Sequence, residues 1–109
     1  DCEDNTGCYL NKLKNSKDMF TKEKAAMILW RGDRNSDVFQ ALFESFKGMD
    51  PMKDRDQRLF LLAGLGRTGT QADAIRVTAY LGELEDQKVD PQWIAELKSL
   101  EAFLVDLKG

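Results

Sequence analysis

Apolar residues recur along this chain at three- and four-residue intervals, broken by polar turns, and nowhere alternate in the manner of a strand. Tyr9, Leu10 and Leu13 predict a short helix over 7–16. Thr21 is placed to cap a second helix, in which Ala25, Ala26, Leu29 and Trp30 form a stripe that stops at Gly32. Ser36 is placed to cap a third, carrying Val38, Phe39, Leu42, Phe43 and Phe46 up to Gly48. Asp50 and Pro51 read as N-cap and first residue of a fourth helix, with Leu59, Leu61, Leu62 and Leu65 toward its end. Thr70 and Asp73 resemble a capping box that opens a fifth through Ala74, Ile75, Thr78 and Leu81. Asp90 and Pro91 repeat the Asp-Pro start before the longest stripe, Trp93, Ile94, Leu97, Leu100, Phe103, Leu104 and Leu107. The expectation is an all-α chain of about six helices.

Two of these stripes are copies of one another. Residues 23–33, EKAAMILWRGD, align with residues 59–69, LFLLAGLGRTG, at a constant offset of thirty-six: Ala25 on Leu61, Ala26 on Leu62, Leu29 on Leu65, Arg31 on Arg67. Each copy closes the second helix of a pair, so the period belongs to a helix hairpin that buries its apolar face by stacking on its neighbours. The segment DRDQRLFLLAGLGRTGTQADAI resembles a HEAT repeat, whose second helix ends in a leucine, a glycine, a short step and another glycine. Leu65, Gly66, Gly69, Asp73, Ala74 and Ile75 carry the resemblance. The earlier copy has Trp30 where the glycine would stand and is one residue shorter at the turn; the last pair lacks the exit motif, as a terminal capping unit would. The resemblance implies three antiparallel hairpins in a short HEAT-like (armadillo-type) solenoid, with an irregular helical bundle as the alternative.

Length makes this one helical domain over 9–109, preceded by an N-terminal segment, 1–8, that holds both cysteines. The chain is too short for a two-half dinucleotide fold with a substrate domain. Gly64, Gly66 and Gly69 do spell G-x-G-x-x-G, but only seven residues separate Gly69 from VTAYL, too few for the crossover helix of a nucleotide-binding unit. Gly32, Gly66 and Gly69 are read instead as helix-exit glycines, permitting close packing and a left-handed exit. No cofactor is expected. Net charge −3 and a calculated pI near 5.0 argue against nucleic acid, whose binding depends on cations.

Within that acidic chain, Lys12, Lys14, Lys17, Lys22 and Lys24 are offset only by Asp18 and Glu23. This stretch reads as a solvated face or as a surface for an acidic protein partner. Phe39 and Phe43 belong to the core by spacing, and are the aromatics that would otherwise line a partner groove. Arg31, Gly32 and Asp33 spell RGD but fit a helix exit. Asp33, Asn35, Asp37 and Glu44 fit a calcium loop at four positions, yet Val38 stands where that loop requires glycine.

Histidine is absent from the sequence, and no serine or cysteine sits in a nucleophile context, so an enzyme is not expected. Two thiols cannot close a zinc site, which leaves Cys2 and Cys8 as a short-range disulfide or as free thiols. The even cysteine count and a start at Asp1 without methionine favour an exported chain, periplasmic or at the cell surface; two free thiols would favour the cytoplasm. No eighteen-residue apolar run is present, so any membrane tether would lie upstream. The sequence therefore points to a non-enzymatic protein-interaction module or scaffold, in its sharpest form the soluble domain of an exported lipoprotein that helps assemble or escort an envelope complex. A carrier of small hydrophobic ligands or lipids, with a cavity between helices, is the alternative.

Overall fold

The computed structural model describes residues 2, 3, 5–49 and 55–107, except for the Met19 side chain. Six α-helices account for most of them: α1 (Thr6–Asn15), α2 (Met19–Leu29), α3 (Ser36–Lys47), α4 (Arg55–Thr68), α5 (Ala74–Leu84) and α6 (Pro91–Val105). A 3-10 turn, Gln71–Asp73, leads into α5, and there is no strand among the described residues. The apolar run before Gly64 is thus helix, and no strand-to-helix turn forms for a phosphate.

Local chemistry sets the helix starts, and twice it moves them from the sequence expectation. Asp18, rather than Thr21, caps α2: its carboxylate accepts the amides of Phe20 and Thr21 and the Thr21 hydroxyl, so Thr21 buttresses the cap from inside the first turn. Asn35, rather than Ser36, caps α3 by accepting from the amides of Asp37 and Val38. An ionised or amide acceptor here outcompetes the neighbouring hydroxyl, which leaves Ser36 to donate to Asp73. The Thr70–Asp73 capping box forms as expected, and Asp90 with Pro91 opens α6. The proposed start at Asp50 and Pro51 lies outside the described residues.

Sequential helices pair as hairpins, α1 with α2, α3 with α4 and α5 with α6; α1 also packs on α3 and α4 on α6. Arg58 of α4 meets Glu96 of α6, and Gly69 just beyond α4 meets Leu104, so α4 and α6 run the same way. The ends of α1, α3 and α5 consequently share one edge with the starts of α2, α4 and α6, the turn edge. The links between hairpins, residues 30–35 and 69–73, occupy the opposite linker edge. The resulting helical bundle measures 42 × 35 × 18 Å, the thickness of two helix layers.

The core runs through both layers. Leu13, Ala26, Phe39, Leu42, Phe46, Leu65, Val77, Trp93, Leu97 and Leu104 are all buried. Each large side chain among them stabilises the fold by about 1.5–3 kcal/mol relative to exposure. Phe46 stacks on Trp93 at 4.5 Å between ring centres, and Tyr80 stands edge-on to Phe43, so aromatic contact joins the second hairpin to the third. Along the thirty-six-residue correspondence, Ala25 and Leu61 are buried, as are Leu29 and Leu65, and Arg31 and Arg67 are exposed, whereas Ala26 is buried and Leu62 only half-buried.

The glycines behave differently from the expectation. None of Gly32, Gly66 and Gly69 adopts a positive φ, so the left-handed exit is absent. Gly66 lies inside α4, which continues to Thr68, and nothing approaches the position of a Cβ there. Gly69 is a close-approach glycine, since a Cβ would lie 2.8 Å from Leu104 Cδ2 and 2.9 Å from Phe39 Cδ2. Gly64 matters more than any of the three, because a Cβ on it would overlap the six-membered ring of Trp30. Trp30, which also packs against Phe60 at 4.7 Å, thereby plugs α2 into α4.

Candidate functional site

A groove of about 560 Å³ opens on the turn edge between the first and second hairpins. Its floor is apolar: Leu13 from α1, Ala26 from α2, Ala41 from α3, and Phe60 and Leu61 from α4. The alanines create the depression, since larger residues at these inward positions would close the hairpins onto each other. Lys14 and Lys22 rise on the wall formed by the first hairpin, together with Glu23. On the opposite wall stand Glu44 and Ser45, with Glu44 held by Lys47 at 3.0 Å. The core beneath is closed, as the fully buried Leu42, Phe46 and Leu65 require.

The five lysines proposed for partner binding sit on the α1–α2 hairpin. None makes an ion pair among the described residues, and Lys24 lies 5.9 Å from the centre of the exposed Phe20 ring. Lys14 and Lys22 flank the groove; Lys12, Lys17 and Lys24 lie beyond it. Asp18, the main acid among them, is committed to the α2 cap, and the bond from the Thr21 hydroxyl, foremost, holds its carboxyl below the usual range. The positive field is therefore little neutralised from within.

Phe39 and Phe43 do not line a surface. They are 0% and 3% exposed, because the stripe they belong to faces α4 and the aromatic cluster, so the partner-binding role assigned to them is withdrawn. Gly32 lies exposed in the α2–α3 link beside Arg31 and Asp33. Asn35 is occupied as the α3 cap and Asp37 lies in the first turn of that helix, so these residues do not form a calcium loop. No group of three or more metal-capable side chains gathers among the described residues. Cys2 and Cys8 are joined by a disulfide that ties the N-terminal segment to α1, which already begins at Thr6. No described helix is long and apolar enough to cross a membrane.

Two buried polar networks go beyond what the sequence indicated, the first wholly and the second in what joins the Thr70–Asp73 capping box. Arg58, 2% exposed, pairs with Glu96 at 2.8 Å and lies over the Trp93 ring, 5.3 Å from its centre. Asp73, 1% exposed, accepts from the Ser36 hydroxyl and from the amide and hydroxyl of Thr70, and meets Arg76 at 3.2 Å. Both are structural joints, the first between α4 and α6 and the second between α3 and the start of α5; Glu96 also lines an open depression of about 420 Å³ together with Leu62, Ala63, Leu100 and Phe103. The signal for the first was an arginine inside the run RLFLL; for the groove, alanines at core positions of facing helices.

The chain has no significant match among protein-family models, curated proteins or solved structures.

Proposed function

We propose that this protein is a non-enzymatic interaction module that binds a segment of another protein in the turn-edge groove. One observation carries the reading: an open apolar floor between two hairpins, walled by Lys14 and Lys22, above a core whose large side chains are buried. Exposed apolar depressions rimmed by polar groups mark docking sites, because the apolar area left in water is recovered when a partner covers it. The Cys2–Cys8 disulfide supports a working place outside the cytoplasm, where thiols stay oxidised. Service as the soluble domain of an exported lipoprotein, helping to assemble or escort an envelope complex, is the specific form of this proposal.

A second reading rests on the same groove. Its volume lies within the ~300–1,000 Å³ of small-molecule sites, so a small apolar ligand with an acidic head is the competing occupant. A photocrosslinking residue introduced at Ser45 in the native host distinguishes the two. We expect it to trap a polypeptide, while the same residue at exposed Glu85 traps none; an adduct with lipid alone would replace the module reading with the carrier.

A further inference from the structure

The groove's charge identifies the chemistry of its occupant. Among the described residues that line the groove the acids are Glu23 and Glu44; Glu44 is paired with Lys47, which leaves Glu23 to offset the lysines of the first hairpin, while Asp18, beyond the lining, is taken up in capping. Lys14 and Lys22 come from different helices and stand over the same apolar floor. Lys12, Lys17 and Lys24 continue the positive surface past the groove. A single carboxylate, as on a fatty acid, would engage one of these cations and leave the others unanswered. An extended ligand with repeated carboxylates answers several at once, and a helix presents apolar residues on one face and acids on its flanks at three- and four-residue spacing. Nucleic acid is disfavoured, because the groove's aromatic, Phe60, is engaged with Trp30 and the molecule as a whole is acidic.

We infer that the groove between the first two hairpins receives an acidic amphipathic helix of a partner protein. Its apolar side chains lie over Leu13, Ala26, Phe60 and Leu61, and its carboxylates reach Lys14 and Lys22. This inference rests on the interaction-module reading and names the partner class for it.

The test is selection from a displayed library of fourteen-residue helical peptides against the intact, oxidised protein. Seam positions vary among Leu, Ile, Phe and Met, and flanking positions among Glu, Gln and Lys. Enrichment of Glu over Lys at the flanks is expected, with amide shifts on binding at Lys14, Ser45 and Phe60. Lys14→Glu with Lys22→Glu, both at the surface, should weaken the selected peptides about tenfold or more and turn selection toward Lys. Binders that map to the groove without Glu enrichment would overturn the partner class and leave the module reading standing. Recovery of no binder would remove both. Displacement of a groove-bound dye by lauric acid in that case would assign the site to a small ligand, and binding to phosphatidylglycerol vesicles lost on Phe20→Ala would assign the lysines to a membrane surface.

Discussion

At the scale of single residues, two glycines two positions apart in α4 have opposite meanings. Gly66 faces open space, so Gly66→Ala removes the backbone cost of glycine in a helix and should stabilise the protein by up to about 1 kcal/mol. Gly64→Ala gains the same propensity but drives a methyl group into the Trp30 ring, and overpacking of this kind costs about 1–3 kcal/mol. We expect a net loss for Gly64→Ala, seen as a lower urea midpoint with an unchanged slope. Tyr80 offers a second residue-level check. Burial pushes its phenol above the ordinary value of 10.0, so the folded state holds that proton more tightly than the unfolded chain. The associated stability is complete below about pH 10 and is lost as pH rises through the folded value. Alkaline unfolding followed by circular dichroism should therefore be shallower in Tyr80→Phe than in the parent protein.

Elements were legible in the sequence where one signal dominated. The stripes in α3 and α6 are long enough that burial fixes them as helices, and Thr70 with Asp73, or Asp90 with Pro91, offers the backbone a single good start. Caps were misplaced where two polar residues compete within three positions, as at Asp18 and Thr21 or Asn35 and Ser36, because the choice depends on which acceptor reaches the free amides. Phe39 and Phe43 were legible as core, and only their alternative role in a partner groove fails, since spacing gives a face but not what covers it. The Arg58–Glu96 joint was illegible, being a contact across thirty-eight residues between helices whose relative placement no local pattern states. It makes its own prediction at this scale. Glu96→Ala removes the carboxylate that meets the buried Arg58 guanidinium at the α4–α6 contact and should lower stability, measured by chemical denaturation. Replacing the pair together, Arg58→Met with Glu96→Leu, should recover most of that loss, because two apolar side chains avoid the desolvation of both charges.

For the whole molecule, the groove is a property of no single element. Four helices contribute to it, and it exists because Ala26 and Ala41 are small where the first two hairpins face each other. Charge divides the molecule along the same axis: five lysines against two acids in residues 12–24, seven acids against two lysines in residues 83–106. An acidic partner would thus be drawn to the first hairpin and turned away from the last, which sets its direction of approach before contact. The linker edge adds a consequence of its own. Thr6 begins α1 beside the 30–35 link, and the Gln71 side chain bonds the carbonyl of Val105, so the first and last helices have their outer ends together on that edge. The start of α1 and the end of α6 thus both lie at the rear of the slab. Held by an anchor there, the molecule would stand like a bracket fixed to a wall, its lysine-flanked mouth turned outward into free solution.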